Sequence, residues 1–196
     1  MFAGHFGLAA AVKSQERQVP LWALMLATAW LDVIFVPLYL AGIETIQLVP
    51  GTAGGYGNAI IHADYTHSLV GALALAGLFG VVAATAWGRR TGVVLGAVVF
   101  SHWLLDLIVH RGDMPILPGD FGGLPRLGFG LWQLPTISAV LELALLVVGA
   151  FLYWRAAVQA TQTTVGAPAW RAQLAGGLTL AFGVLILVMD MLGILA

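Results

Sequence analysis

Five long apolar stretches constrain this chain more than any other feature. They run roughly over 20–42, 66–87, 91–110, 131–154 and 173–195. At about 1.5 Å rise per residue, helices of this length cross a hydrocarbon core about 30 Å thick. The sequence therefore predicts an all-α polytopic membrane helix bundle, with all 196 residues in one domain. Composition agrees, since only 9% of residues are charged where a soluble domain has about 25%.

The absence of cysteine removes disulfides, thiolate metal sites, iron–sulfur clusters and cysteine nucleophiles. Net charge is −1, without a basic run, so nucleic acid is not expected as a partner. The start, M-F-A-G-H-F-G-L-A-A-A-V-K, lacks the basic leader of a signal peptide and is expected to be retained. Its apolar piece 2–12 is too short to span. It is expected to lie at the interface or to enter the membrane as a short re-entrant helix.

Basic residues orient the bundle. With the N-terminus cytoplasmic, Lys13, Arg17, Arg89, Arg90, Arg155 and Arg171 fall inside, and Arg111 and Arg126 outside. This distribution follows the positive-inside rule. Trp22, Trp87, Trp154 and Trp170 then mark the inner interface and Trp132 the outer one. Small residues at helical spacing predict close packing: Gly71, Ala76 and Gly80; Gly92 and Gly96; Gly176 and Gly183.

Against this apolar background every span carries an ionisable residue, which is costly in a bilayer. These are Asp32, His67, then His102, Asp106 and His110, then Glu142 and Asp190. In S-H-W-L-L-D-L-I-V-H-R-G-D-M-P, His102 and Asp106 stand one helical turn apart and address one point. His110 lies further round and higher, with Asp113 three residues on. A half-inserted N-terminal helix brings His5 to a similar depth. Asp32 and Glu142 sit at mid-depth in their spans. Each is equally suited to holding two helices together.

Imidazole nitrogen and carboxylate oxygen without thiolate suit catalytic zinc, and also manganese or iron. His67, His102 and Asp106 provide three ligands. A carboxylate such as Asp64 or Asp113 is placed to carry the proton of an activated water. His110, Arg111 and Glu142 are expected at the rim. After the ladder, R-G-D-M-P-I-L-P-G-D-F-G-G-L-P-R-L-G-F-G is too rich in glycine and proline to be helical throughout, and it is expected to form a lid. Arg111 and Asp113 stand at its hinge, where they are suited to pairing with each other. Arg126 is available to an anion.

These motifs resemble a known family. An early histidine, an aspartate in the first long helix, H-S-L after an outer loop and S-H-x-x-L-D in a later span resemble the bacterial membrane-bound metal-dependent hydrolases. G-H-F-G-L-A-A-A, T-H-S-L, S-H-W-L-L-D-L-I-V-H-R-G-D-M-P and the following G-L-W resemble a multi-pass branch of that family. The resemblance runs to about Glu142. It implies His5, Asp32, His67, His102 and Asp106 as site residues, with His110 and Asp113 belonging to the closer branch. The family pattern has two acids and a histidine at the first helix, whereas W-L-D-V-I-F supplies only Asp32.

The leading expectation is a metal-dependent hydrolase, zinc first, in a bacterial inner membrane, acting on a lipid-like or amphiphilic substrate at the outer leaflet. The alternative is a non-enzymatic subunit of a respiratory or photosynthetic complex, binding haem or a chlorophyll-type pigment through histidine. Proton or ion translocation comes third, because the polar groups cluster in one half of the membrane. Membrane lipids, complex subunits or further copies of the chain are the expected partners.

Overall fold

The structure is a computed structural model that describes residues 2–52, 56–163 and 168–194. The chain forms α1 (Phe2–Gln15), α2 (Leu21–Thr28), α3 (Trp30–Leu40), α4 (Leu69–Trp87), α5 (Arg89–Val109), α6 (Pro135–Thr163) and α7 (Trp170–Met191). Helices α4 to α7 are each long and apolar enough to cross a membrane, and α2 with α3, bent by 50° at the break between them, counts as a fifth span or as a re-entrant pair. The result is the expected polytopic all-α bundle.

Several boundaries differ from the sequence reading. The span read as 131–154 starts at Pro135 and runs to Thr163, because Leu131–Gln133 forms a separate short turn. The stretch read as 66–87 becomes helical only at Leu69, after Ser68 caps it by accepting the Gly71 N–H at 3.0 Å. The last span ends at Met191, and residue 195 lies outside the described residues. The segment between α3 and α4, read as loop, contains an antiparallel hairpin of β1 (Thr45–Leu48) and β2 (Ala59–His62). Strands of four residues are too short for their alternation to stand out in sequence. Residues 53–55 of its glycine-rich tip lie outside the described residues.

Backbone proximity explains the small residues. Only Gly88 joins α4 to α5, at φ 86° and ψ 162°, a conformation open to glycine and closed to residues with a Cβ. Past this turn the two helices lie together on glycine: a Cβ on Gly92 would overlap the Gly80 carbonyl, and Gly96 faces Ala76 and Gly80. Gly176 and Gly183 receive Trp154 and Leu146 of α6. Gly71 differs, packing on the Tyr65 carbonyl of its own entrance turn.

Helix α1 spans only about 21 Å at 1.5 Å per residue, so it does not cross. It packs lengthwise on α6 with α2 and α7 on its flanks, burying Ala3, His5, Ala9 and Ala10. Gly7 and Gly149 make this approach possible, since a Cβ on either would collide with backbone of the other helix. Gly149→Leu is therefore expected to lower stability in detergent by ~1–3 kcal/mol or more through overpacking. Gly77→Ala, where an added Cβ meets nothing, should stay within about 0.5 kcal/mol of wild type. Chemical denaturation of the two variants checks this.

Candidate metal centre

Three elements deliver the polar side chains to one point, in the half of the bundle remote from Arg89 and Arg90. On α5, His102 and Asp106 are both buried and share a face, with Nε2 3.0 Å from Oδ2. His67 does not open α4 but sits in the turn before it. Its carbonyl accepts the Trp103 indole N–H at 2.8 Å, and the following N–H groups of Leu69 and Val70 bond to the carbonyls of Pro115 and Ile116. Asp32 comes from the first turn of α3.

The four side chains converge on a small polyhedron. His67 Nε2 is 3.2 Å from His102 Nε2, 3.5 Å from Asp32 Oδ1 and 3.6 Å from Asp106 Oδ2. His102 Nε2 is 3.6 Å from Asp32 Oδ1. Ligand atoms at about 2.0–2.2 Å from a tetrahedral centre lie about 3.3–3.6 Å from one another. The observed separations cluster around those edges, and two overlapping triads, Asp32–His67–His102 and His5–His102–Asp106, could each hold a metal ion.

Hydrogen bonding behind the rings aims the lone pairs inward. His102 Nδ1 lies 2.6 Å from the Thr28 carbonyl, which only accepts, so Nδ1 carries a proton and Nε2 is the nitrogen turned to the centre. Thr66 donates its hydroxyl to Glu44, 3.0 and 3.1 Å from the two carboxylate oxygens. The same hydroxyl oxygen lies 2.9 Å from His67 Nδ1 and receives its proton. Two Nε2 atoms and two carboxylates thus face one another, a nitrogen-and-oxygen donor set that a cation at the centre would meet from all four sides.

Comparison with protein-family models, curated proteins and solved structures finds no match. The site must be read from its own geometry.

Around the four lie two further histidines. His5 stacks on His102 at 3.9 Å with rings 9° apart, and its Nε2 is 3.1 Å from Asp106 Oδ1, leaving Oδ2 to the centre. The depth argument for His5 therefore agrees with its position. His110 ends α5 with extended backbone, φ −58° and ψ 149°, which turns its ring back instead of continuing the helical drift. Its Nδ1 bonds Asp113 at 2.7 Å, and its Nε2 stands 3.9 Å from Asp106 Oδ2. Burial alone would push the Asp113 carboxyl up, but His110 and the Ile61 N–H outweigh it and hold it below the usual carboxylate range.

Other expected site residues are engaged elsewhere. Arg111 donates to the carbonyls of Gly57 and Trp132, clamping the hairpin to the lid; its expected pairing with Asp113 gives way to the His110–Asp113 bond. Asp64 lies 3.2 Å from Arg126, which also bonds Asp120 at 2.9 Å and the Asp113 carbonyl at 3.0 Å. Although burial works against it, this company raises the Arg126 guanidinium above its usual range. Arg126 is therefore committed to Asp64, Asp120 and the Asp113 carbonyl rather than free for an anion. Glu142 accepts the Gly4 N–H at 3.2 Å and the Tyr56 hydroxyl at 2.5 Å. It thereby caps the start of α1 and anchors the helix that carries His5. Burial and this carboxylate together raise the Tyr56 hydroxyl above its ordinary range.

Sequence reasoning missed Glu44, Thr66 and Thr28. Glu44 is fully buried and accepts from the N–H groups of Tyr65 and Thr66 as well as from the Thr66 hydroxyl. One signal was present: Glu44 is the single charged residue between Asp32 and Asp64. Thr28 left none. Its role arises at the break between α2 and α3, where its carbonyl accepts from His102 and its hydroxyl donates to the His5 carbonyl at 3.1 Å.

Proposed function

We propose that the chain is a membrane-embedded, divalent-metal-dependent hydrolase acting on a lipid-like or amphiphilic substrate. One observation carries the reading: two histidine nitrogens and two carboxylate oxygens converge at separations of 3.0–3.6 Å, close to the edge lengths of a tetrahedral ion site. Asp32, His67, His102 and Asp106 would hold the ion, and an all-nitrogen-and-oxygen set buried among protons that point outward fits zinc. Two Nε2 atoms 3.2 Å apart leave no room between them for a macrocycle, which disfavours haem or pigment.

When bound, such an ion supplies Lewis-acid activation of water and of the scissile group. The remaining work belongs to the protein. His110, with Nδ1–H given to Asp113, presents a bare Nε2 toward the centre and is suited to accept a proton; the Asp113 carboxylate then stabilises the imidazolium. The Arg126–Asp64–Asp120 group fixes the lid above them. Asp32 keeps 26% of its side chain exposed while His102 and Asp106 keep 1% and 4%. The centre thus opens on the α3 side, where Val33, Val36 and Tyr39 are exposed, and an apolar substrate reaches it from the bilayer. Its distance from the basic end, read with the positive-inside rule, supports a site toward the outer leaflet.

Metal analysis joined to a chelation assay tests the proposal. Purified protein is expected to hold about one equivalent of divalent metal, and to hydrolyse a fluorogenic ester or phosphoester lipid. A strong chelator should abolish turnover, and added zinc should restore it. Metal-free protein whose hydrolysis ignores the chelator would overturn it. Glu44→Gln, which keeps an acceptor for Thr66 but removes the carboxylate charge behind His67, is expected to weaken the ion about 10–100-fold, as measured by competition with a chromophoric chelator.

A further inference from the structure

The end of the bundle remote from the metal centre contains a second polar cavity. It has a volume of about 270 Å³ and lies between the last turn of α1 and the later part of α6, lined by Ser14, Arg17, Leu152, Arg155 and Gln159 among others. Two of its walls are guanidinium groups and none is a carboxylate. Like charges do not gather in a cleft without a reason, because each raises the cost of the other.

Neither arginine is consumed by the fold. Arg17 has one hydrogen bond from its side chain, Nη2 to the neutral Gln159 amide oxygen at 2.9 Å. Arg155 has no hydrogen bond or ion pair among the described residues and only rests over the Phe151 ring at 5.8 Å. A guanidinium offers five N–H donors, so most of this cavity's donor capacity is unused. The neighbouring arginine behaves differently: Arg90 is paired with Glu16 at 2.9 Å. Lys13 turns its ammonium to the carbonyls of Arg17 and Val19, at 2.7 Å each, and so holds the backbone that carries Arg17.

Depth identifies the ligand. Trp22, Trp87, Trp154 and Trp170 all lie exposed at this end of the bundle, the level at which aromatic residues meet headgroups. Leu152 adds an apolar wall one step deeper. Basic pockets between membrane helices take anionic headgroups, and paired guanidiniums suit phosphate oxygens. We infer that the Arg17–Arg155 cavity is a binding site for a phosphate anion, carried on the headgroup of an anionic phospholipid or free in solution.

Native mass spectrometry of the full-length protein released from detergent tests this, with phosphatidylglycerol, phosphatidylcholine and inorganic phosphate as probes. Phosphatidylglycerol should remain bound one to one and phosphatidylcholine should not. Arg17→Ala with Arg155→Ala should reduce the retained phosphatidylglycerol at least tenfold. Arg89→Ala with Arg171→Ala removes equal charge from the same interface, and should leave retention unchanged. Lysine at both cavity positions should restore part of it, separating lost recognition from lost folding. If inorganic phosphate binds in an arginine-dependent way while phosphatidylglycerol retention is indifferent to the arginines, the source is the free anion. Equal losses in the two double variants, or no loss in the first for either probe, would overturn the inference.

Discussion

His102→Ala is expected to yield protein with less than a tenth of the wild-type metal and no measurable metal-dependent hydrolysis. The change removes one of four converging ligand atoms and, with it, the ring on which His5 stacks. It also leaves the Thr28 carbonyl without the imidazole N–H that it accepts. Losing a single outer partner of a ligand costs about 10–100-fold in affinity, so losing the ligand itself should cost more than about 100-fold. The buried acceptors left facing one another add a stability penalty of about 1–3 kcal/mol. His62→Ala provides the contrast, since His62 sits on the hairpin and should leave metal content unchanged. Elemental analysis of the two proteins, purified in parallel, decides the matter. Full metal in His102→Ala would exclude this side chain from the centre.

His110→Ala should separate metal binding from turnover. The Nε2 of His110 stands 3.9 Å from Asp106, outside the closest contacts of the four, and its other nitrogen is committed to Asp113. Metal occupancy is therefore expected to persist within about twofold, well inside the 10–100-fold that even an outer partner costs. The rate constant should fall by about 10²–10⁴, the usual contribution of a positioned general base. Asp113→Asn should lower the rate by less, because the amide oxygen still accepts from Nδ1 but no longer offsets the imidazolium charge. The measurement is kcat and KM with metal content on the same samples: a fall in kcat at constant metal supports the assignment. Concerted loss of metal and rate would instead make His110 a ligand.

How far the sequence spoke depends on the distance over which each signal acts. The pairing of His102 with Asp106 was legible because one helical turn joins them, and helical geometry is local. His5 was placed by counting rise from Lys13, which again needs only one helix. The ring of His110 could not be placed that way, since α5 stops beneath it and its extended backbone reverses the drift. Glu44 and Thr66 meet across a hairpin whose strands are too short to announce themselves. Arg111 and Asp113, two residues apart, looked like a natural pair, yet the fold offered each a better partner. Membrane insertion itself was legible throughout, because hydropathy over twenty residues needs no tertiary knowledge.

The break at Ala29 carries a consequence for how the wall beside the centre behaves. Helices kink where another group takes over a carbonyl of the backbone ladder, and here the imidazole that takes the Thr28 carbonyl is also a proposed ligand. Beyond the break, α3 has only Leu31 fully buried among its eleven residues, and it is held to the bundle by Trp30 on Phe79, Phe35 on His67 and the Asp32 carboxylate. The angle of this wall and the protonation of the ring are thus set by one shared bond. With an ion at the proposed centre, straightening the wall is expected to loosen it, and its loss to free the wall. A spin label on α3, read with and without added metal, is expected to report the two changing together.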